Sequence, residues 1–579
     1  MTSSTPEGEE AIRPLPKRWR IHHPIPTEIS KELSEFSPLI RQLLYNRGFE
    51  DAESAEAFLA GTVPFPTDPY LLMGMDQAVE RLHRAIRQGE KIAIYGDYDA
   101  DGVTSSALLK EFLAALGQEV RSYIPDRYEE GYGLNNDAMR QLAGEGVDLV
   151  ITVDCGVRAM AEIRLAKELG MDVIVSDHHT PGPAMPSAVA VIDPKQPGDP
   201  YPEKNLAGVG LAYKLAQAYL TKYPEEGVWA DDWLDLVAIG TVVDLAPLRG
   251  ENRLLVRAGL EKLRHEPRQG IFSLAQVAGV DFQKTDATDL GFRLGPRLNA
   301  AGRLESALTA LDLLTTRNLL EAGHLAQQLD SYNRDRQAIT EDIRQRAAQS
   351  VIDEDPDALL FFAADPDFGE GVVGLAASRL VESYYRPSIV GHEGEETTVA
   401  SCRSIPEFHI TRALDDCADL LVRHGGHAAA AGFTVRNENR SALVARLREI
   451  AQEQLGDVEL LPLLEIDRKI KLDKLNGKHI SGILNDIRQL EPTGRANPEP
   501  VFASFGLEVR YARAVGREGS HLKLRVKAGK NDFDAIAFRQ GYWLEDMPER
   551  IDLAYRFEIN EFNGRSTLQL NIKDIKASE

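Results

Sequence analysis

The chain has 579 residues, of which 43% are hydrophobic, a composition that predicts a globular protein of about three or four domains and excludes extensive disorder. Its formal net charge of −24 excludes a protein that coats nucleic acid over its whole surface, but it permits a local basic groove. The cysteines form no Cys-x-x-Cys pair, which excludes a zinc site built from cysteines alone and fits a reducing compartment. No run approaches the roughly 18 apolar residues of a membrane span, and Met1–Arg13 lacks an apolar signal core, so we expect a cytoplasmic protein.

The first half of the chain is predicted to be a polar tail and short helices followed by an α/β domain. Residues 1–85 have the pattern of a polar tail and short helices, one of them around Ile40–Leu44. Within a domain predicted at 86–316, strand patterns such as Val120–Ile124 alternate with helical patterns such as Met160–Leu169 from residue 91 to about 250, and a mostly helical stretch follows. The alternation is typical of a doubly wound parallel sheet. The long polar run Asn318–Ile352 has few breakers, which predicts a helix over 317–353 that connects two domains.

Two further domains are predicted in the second half. Strand patterns at Leu359–Phe362 and Ser388–Val390 flank a helical pattern over Val372–Tyr384, which indicates a second α/β domain at 354–456. In 457–579, short alternating strands are separated by Gly, Asn and Pro turns. This pattern favours a small β-barrel. We expect the barrel to be OB-like and to bind nucleic acid.

Four clusters of acidic and histidine residues each follow an apolar, β-branched run. They are Gly-Asp-Tyr-Asp-Ala-Asp-Gly at 96–102, Val153-Asp154, Asp177-His178-His179 and Val243-Asp244. Runs such as Ile92–Tyr95 and Leu149–Val153 are typical of buried parallel strands. Such strands would deliver the polar side chains to one edge of the sheet, where open α/β folds bind their ligands.

Carboxylates share a small volume at neutral pH only if cations neutralise their repulsion. Oxygen ligands with imidazole suit Mg²⁺ or Mn²⁺, and a pair of such ions is the usual apparatus of phosphoester cleavage. The spacing of Asp97, Asp99 and Asp101 also occurs in EF-hand calcium loops, but Leu108 stands where that loop needs Glu. Taken singly, Asp154 and Asp244 are as well explained as helix caps. Their recurrence favours a metal site.

One strand pattern in the last domain carries a cationic face. Between 508 and 530 there are seven Lys or Arg residues against two Glu residues. Leu522, Leu524 and Val526 alternate with Lys523, Arg525 and Lys527, so the apolar set would face a core and the cations would share the opposite face. We call Lys523, Arg525 and Lys527 the cationic face. It fits either a strand that tracks a phosphate backbone or an ordinary solvated strand.

The order of the four clusters resembles the DHH phosphoesterase superfamily and, within it, the RecJ family of bacterial single-strand exonucleases. The match covers roughly residues 35–579, and the segments that also fit it in order are Gly131–Leu134, Leu206–Gly210, Gly295–Arg303, Gly371–Gly374, Ser401–Ile405, Gly425–His427 and Asn497–Pro500. The Gly295–Arg303 segment is the most specific to RecJ. Cys402 and Thr493 depart from the family, which has a small residue and Phe there, and we expect them to bear on substrate preference rather than catalysis.

The resemblance implies a ligand set for two divalent cations, Mn²⁺ or Mg²⁺. Asp97, Asp99 and Asp154 would hold one ion, and Asp101, Asp154, His178 and Asp244 would hold the other, with Asp154 as the bridge. Asp177 would orient an imidazole through its free N–H, and His179 would approach the scissile phosphate. The residues implied in substrate binding are Arg127, Asn299, Arg303, Ser401, Arg403, Gly425, Gly426 and His427.

The same resemblance implies a 5′→3′ exonuclease that degrades single-stranded DNA to mononucleotides in DNA repair and recombination. The protein is expected to be a monomer whose family partners are single-strand-binding protein and a RecQ-type helicase. A superfamily phosphodiesterase for short oligonucleotides or cyclic dinucleotides is the first alternative, and the basic barrel argues against it. A non-catalytic DNA-bound scaffold is the second, and the concentrated carboxylates argue against that. The chain has no Gly-x-x-x-x-Gly-Lys-Ser/Thr segment, which excludes a P-loop motor.

Overall fold

A computed structural model describes residues 15–61, 67–127, 130–562 and 565–578. Most of the predicted polar tail, residues 1–14, lies outside these ranges. The chain divides into two compact units. The first unit contains Glu53–Ala338 and Leu490–Pro498. The second unit contains the described residues up to Ala52, then Ile339–Gln489 and those from Glu499 onward.

The strands are β1 (Arg18–Ile21), β2 (Ile92–Gly96), β3 (Val120–Tyr123), β4 (Leu149–Val153), β5 (Asp172–Ser176), β6 (Ala190–Ile192), β7 (Phe361–Asp365), β8 (Ser388–Glu393), β9 (Thr397–Arg403), β10 (Leu421–His427), β11 (Ala430–Arg436), β12 (Leu463–Ile466), β13 (Arg468–Lys469), β14 (Phe502–Val515), β15 (His521–Ala528), β16 (Asn531–Ala537), β17 (Arg550–Phe562) and β18 (Arg565–Ala577). The α-helices are α1 (Thr27–Glu32), α2 (Pro38–Asn46), α3 (Ala52–Ala60), α4 (Met75–Gln88), α5 (Ala100–Ala115), α6 (Asn136–Gly144), α7 (Met160–Glu168), α8 (Gly208–Lys222), α9 (Leu234–Val243), α10 (Gly250–His265), α11 (Gln269–Ala278), α12 (Ala287–Asp289), α13 (Gly295–Leu304), α14 (Leu308–Thr315), α15 (Leu319–Glu354), α16 (Glu370–Tyr384), α17 (Ile410–Asp415), α18 (Asn437–Leu455) and α19 (Gly477–Gln489). None of these described helices is both long enough and apolar enough to cross a bilayer.

The first unit is built on a five-stranded parallel sheet with the order β3-β2-β4-β5-β6. Every residue of β2 and β4 is buried. Ile92 and Ile94 enter the core that contains α5, α8 and α9, whereas Ala93 and Tyr95 enter a second core that contains α6 and α7. Helices therefore cover both faces, as a parallel sheet of continuous apolar strands requires. The predicted doubly wound sheet is confirmed.

The second unit contains a mixed sheet and a barrel. The mixed sheet has the order β10-β11-β9-β8-β7, in which β7 and β8 run parallel. In the barrel, the strand order is β14-β15-β16-β18-β17, and the additional pairing of β14 with β17 closes the sheet. Leu522, Leu524 and Val526 of β15 are almost completely buried, so they form the inner side of the barrel wall. The small barrel and its alternating strand are confirmed.

Three local predictions differ from the structure. The apolar run before Asp244 is the helix α9 and not a strand. The helix is buried on nearly every side, so its sequence lacks the amphipathic pattern that would have distinguished it from a buried strand. The strand expected at 359–362 begins two residues later, at Phe361. Arg18–Ile21, expected within the polar tail and short helices, forms β1 and pairs in parallel with β12.

Candidate metal centre

Acidic and imidazole side chains converge at the carboxyl ends of β2, β4 and β5 and at the end of α9. Their candidate ligand atoms form three groups in which all atoms lie within 4.8 Å of one another: Asp97, Asp99 and Asp154; Asp101, His178 and Asp244; and Asp154, His178 and His179. We call these seven residues the metal cluster. Asp154 and His178 each belong to two of the groups, which makes them its centre.

The loop after β2 is held in place by hydrogen bonds at both ends of its turn. Asp99 caps α5, and its side chain accepts from the amides of Asp101 at 2.9 Å and Gly102 at 3.1 Å. A Cβ at Gly102 would lie 2.5 Å from the carbonyl oxygen of Asp97, so only glycine fits there. The side chain of Asn299 accepts from the amide of Ala100 at 2.7 Å. The structure thus places Asn299, predicted to bind substrate, as a support of this loop.

Asp101 is fixed by backbone donors from the start of α8. Its two carboxylate oxygens accept from the amides of Gly208 at 2.6 Å and Val209 at 2.8 Å. An added Cβ at Gly208 would lie 2.8 Å from the Cβ of Asp154, and one at Gly240 would lie 2.9 Å from Asp101 Oδ1. These two glycines therefore allow α8 and α9 to approach the carboxylates closely.

Asp154 adopts a left-handed backbone conformation with φ of 61° directly after β4. Aspartate is among the few non-glycine residues that tolerate this region. Its amide donates to the carbonyl oxygen of Ser176 at 3.0 Å, which ties it to the end of β5. The turn brings Asp154 Oδ1 to 2.9 Å from Nε2 of His178, while Nδ1 of His178 lies 3.9 Å from Asp244.

The electrostatics of the metal cluster fit bound cations. Burial and the neighbouring carboxylates raise the pKa of Asp97 to about 8 and of Asp244 to about 7, and they raise the pKa values of Asp101 and Asp154 well above the usual range. Burial lowers the pKa of His178 to about 3, so its imidazole is neutral. Asp97 Oδ1, Asp154 Oδ1 and His178 Nε2 are buried without a well-aligned hydrogen-bond partner among the described residues. Divalent cations would satisfy these atoms and remove the repulsion.

His179 is oriented by Asp177. Nδ1 of His179 lies 2.8 Å from Asp177 Oδ1, and the other carboxylate oxygen accepts from the amide of Val157 at 2.9 Å. Burial acts to lower the pKa of His179, but the hydrogen bond and charge of Asp177 raise it above the usual value. Asp177 thus lies outside the metal cluster and holds one of its imidazoles, the geometry expected of an orienting carboxylate.

Two of the arginines predicted to bind phosphate lie in the first unit. The guanidinium of Arg127 lies 4.9 Å above the ring of Tyr98, within the Asp97–Asp99 loop. Burial, together with the positive charges of Arg127 and Arg336, lowers the pKa of Arg303 to about 10. Positively charged groups that lower one another's pKa are well placed to bind an anion together.

Ser401 and Arg403 share one face of β9 in the second unit. The strand alternates between buried and half-buried residues, so Cys402 between them points into the core and is completely buried. An added Cβ at Gly374 of α16 would lie 3.2 Å from Nη2 of Arg403 and 3.4 Å from Ser401 Oγ. Burial lowers the pKa of Arg403. The glycine lets the helix pack directly against this polar pair.

The predicted substrate loop Gly425-Gly426-His427 lies on a strand and not in a turn. It forms the end of β10, the edge strand of its sheet, and all three residues are exposed. Gly426 has φ of 150°, and a Cβ there would lie 2.4 Å from the carbonyl oxygen of Ala430. The motif thus lets two strands come close beside an exposed backbone edge.

The cationic face lies on the outer side of β15 and is already partly paired. Arg525 is exposed and its Nε lies 3.1 Å from Asp534 Oδ1 on β16. Nζ of Lys523 donates to Gln569 Oε1 of β18 at 2.6 Å. Lys527 is half-buried.

Some site contacts come from groups that the predictions did not assign. The backbone amides of Gly208 and Val209 donate to Asp101, and no side chain in the sequence indicates such donors. The family resemblance of the Leu206–Gly210 segment is the only sequence feature at this position. Nζ of Lys195 donates to the carbonyl oxygen of His178. Tyr132, inside the Gly131–Leu134 segment, places its hydroxyl 3.3 Å from Nδ1 of His179.

Comparisons with known proteins agree with this architecture. Family models match the DHH family N-terminal domain at residues 91–241, the DHHA1 domain at 357–453 and the RecJ OB domain at 466–574. The chain is 40% identical to the single-stranded-DNA-specific exonuclease RecJ of Bacillus subtilis, over 97% of this chain and 71% of that protein. It is 36% identical to the Escherichia coli protein of the same name, over 94% of this chain and 96% of that protein.

A solved structure extends the similarity to the fold. The crystal structure of RecJ from Thermus thermophilus in complex with Mn²⁺ matches with a TM-score of 0.82 and 32% identity, over 97% of this chain and 80% of that chain. A complex of the same protein with Mg²⁺ matches with a TM-score of 0.77. With this identity to curated relatives over nearly its full length, the chain belongs to the RecJ family.

Proposed function

We propose that this protein is a metal-dependent exonuclease that hydrolyses single-stranded DNA. The observation that carries the proposal is the metal cluster, in which Asp154 and His178 each join two groups of ligand atoms within 4.8 Å. Membership of the RecJ family, whose curated relatives bear the name single-stranded-DNA-specific exonuclease, supports the substrate class.

The ligand assignment is part of the proposal. Asp97, Asp99 and Asp154 would hold one divalent cation, and Asp101, Asp154, His178 and Asp244 would hold the other. Mn²⁺ or Mg²⁺ bound there would supply Lewis acidity to the scissile phosphate. Neutral His178 keeps a lone pair for coordination, because burial lowers its pKa to about 3. The hydrogen bond from Nδ1 to Asp177 leaves Nε2 of His179 for the phosphate.

Three arginines and a serine are the proposed phosphate-binding residues. Arg127 and Arg303 in the first unit, and Ser401 and Arg403 in the second unit, are each proposed to bind phosphate oxygens. Burial and the positive charges of neighbouring arginines lower the pKa of Arg303, and a bound anion would stabilise its charged form, which supports this role. We propose residues 86–316 as the catalytic domain, 317–353 as the connecting helix, 354–456 as the substrate-binding domain and 457–579 as the nucleic-acid-binding barrel.

The finer properties rest on family membership. We propose 5′→3′ polarity, mononucleotide products and a role in DNA repair and recombination. Single-strand-binding protein and a RecQ-type helicase are the proposed partners.

End-labelled strands test this proposal directly. Single strands of DNA and RNA, labelled at either the 5′ or the 3′ end, would be incubated with Mg²⁺ or Mn²⁺, with chelator and Asp154→Asn as controls. The proposal expects labelled mononucleotide at once from 5′-labelled DNA and only late from 3′-labelled DNA. Preference for dinucleotides or cyclic dinucleotides over long strands would identify a small-substrate phosphodiesterase. Binding of DNA without any cleavage would identify a scaffold.

A further inference from the structure

Tyr132 lies beside the metal cluster with its ring open to solvent. Its hydroxyl lies 3.4 Å from the carbonyl oxygen of Asp154 and 3.3 Å from Nδ1 of His179. Its ring centroid lies 5.9 Å from that of His179, at an interplanar angle of 70°. The residue is nevertheless 55% exposed. A large aromatic side chain that reaches the ligands of a metal site and remains half open is a candidate contact for substrate.

The backbone presents this tyrosine through two left-handed glycines. Gly131 and Gly133 both have φ of 81°, and an added Cβ at either would meet no atom within 4 Å. Glycine is therefore required at both positions for its conformation and not for lack of space. The Tyr95 hydroxyl donates to the carbonyl oxygen of Gly133 at 3.0 Å, and Glu130 accepts from the amide of Asp126 at 2.7 Å. The segment is thus anchored on both sides of the exposed ring.

A second aromatic ring and a cation lie next to Tyr132. The ring centroid of Tyr98 lies 6.5 Å from that of Tyr132, at an interplanar angle of 76°. Arg127 lies 4.9 Å above the ring of Tyr98. The site therefore combines an open aromatic surface with a guanidinium, the two kinds of group that bind the base and the phosphate of a single-stranded nucleotide.

We propose that Tyr132 is a positioning residue that stacks on the base of the terminal nucleotide whose phosphodiester bond lies at the metal cluster. This inference rests on the proposed exonuclease function and adds how a nucleotide of any sequence is held there. Stacking tolerates all bases because each has a π face, and an exonuclease must accept them in succession. Arg127 beside Tyr98 would meet the phosphate of the same nucleotide.

Steady-state kinetics on single strands separate stacking from hydroxyl chemistry. Tyr132→Ala should raise KM by about tenfold with little change in kcat, because a stacked base is bound equally in the ground and transition states. Tyr132→Phe keeps the ring and should retain nearly wild-type KM. Tyr132→Leu serves as a second variant without a π face. Tyr223→Ala is the matched control, because it also removes a stacked tyrosine ring, in this case one that packs on His83. Tyr223 follows the last residue of α8, at the opposite end of the helix from Gly208, whose amide donates to Asp101.

Strands with one abasic residue locate the base. With the first nucleotide abasic, wild type and Tyr132→Ala should have the same KM, whereas an abasic third nucleotide should preserve the tenfold difference. A Tyr132→Phe enzyme as impaired as Tyr132→Ala would overturn the proposal in favour of a hydroxyl that orients His179. A difference that persists on strands abasic at the first position would also overturn it. Failure of the wild type to degrade any strand would contradict the proposed function instead.

Discussion

The metal cluster and the cationic face are both groups of like charges, but the fold accommodates them in opposite ways. In the metal cluster, Asp97, Asp101 and Asp154 are at most 3% exposed, and some of their oxygens have no aligned donor among the described residues. On the cationic face, Arg525 is exposed and paired with Asp534, and Lys523 donates to Gln569. The first arrangement is unfavourable without a ligand, whereas the second is satisfied without one.

This difference indicates which charges were placed for binding. Burying several carboxylates together raises their pKa values and destabilises their charged forms. A bound cation would stabilise the charged forms again, which explains why the fold places the carboxylates together. Exposed charges with partners contribute little either way. We therefore expect substitutions in the metal cluster to have much larger effects than substitutions on the cationic face.

The largest effect is expected from Asp154, the carboxylate shared by two ligand groups. Asp154→Ala should lower kcat on single-stranded DNA by about a thousandfold or more, because the site would lose a ligand common to both ions. Asp154→Asn should do the same, and Asn also tolerates the left-handed backbone. The variants should fold, as checked by circular dichroism and thermal melting. Turnover within a few-fold of wild type would exclude the proposed two-metal assignment.

The next largest effect is expected from Arg403 in the second unit. Arg403→Ala should lower kcat/KM by about 10- to 100-fold without changing Mn²⁺ affinity, and Arg403→Lys should recover only part, because one ammonium cannot form the two-pronged contact. Arg386→Ala is the control, since burial also lowers the pKa of this half-buried arginine, whose guanidinium donates to backbone carbonyls. Equal kinetics of the two alanine variants would show that Arg403 is only structural.

A moderate effect on stability is expected when metal is removed. The folded pKa values of about 8 for Asp97 and about 7 for Asp244 lie above the unfolded values. Their stabilising contribution is therefore complete below the unfolded pKa and is lost as pH rises through 7 to 8. In chelator, Tm should fall by about 5 °C between pH 6 and 9, and Mn²⁺ should stabilise the protein more at the higher pH.

Asp97→Asn provides the control for the overall charge of the protein. It removes one of these carboxylates and should flatten the decline of Tm in chelator, although the rest of the chain keeps its charge. A decline of the same slope in wild type and Asp97→Asn would show that the pH dependence arises elsewhere.

The smallest effect is expected from the cationic face. A Glu at 525 would face Asp534, so we prefer Gln at positions 523, 525 and 527. This triple variant should lower kcat/KM on long strands by about three- to tenfold at low salt. The difference from wild type should shrink as salt rises, because DNA binding by the variant releases fewer counterions and is therefore less sensitive to salt. Trinucleotides should be cleaved normally.

Three exposed lysines of the same unit, Lys471, Lys474 and Lys478, allow a matched loss of charge. If their triple Gln variant is impaired as much as the first, the effect reflects overall charge and not a DNA-tracking strand.

The residues predicted from sequence are those whose position follows from a strand. Asp97 and Asp154 directly follow β2 and β4, and the continuous apolar runs of these strands are visible in the sequence. Asp244 was predicted to follow a strand, but Leu234–Val243 is a helix buried on nearly every side, and such a helix has no periodicity to distinguish it from a strand. The amides of Gly208 and Val209 could not be predicted as partners of Asp101, because every residue except proline has such a donor.

Burial protects Cys402 from chemical damage, although this residue belongs to the proposed phosphate-binding segment of the second unit. Although it stands between Ser401 and Arg403 in the chain, it is completely buried, and burial raises the pKa of its thiol to about 12. The reactive thiolate is therefore almost absent at neutral pH, and alkylating reagents or peroxide have no access to it in the folded protein. The thiol lies in the core of the second unit, whereas its neighbours Ser401 and Arg403 lie on the other face of β9, so a thiol reagent would serve as a probe of local unfolding there.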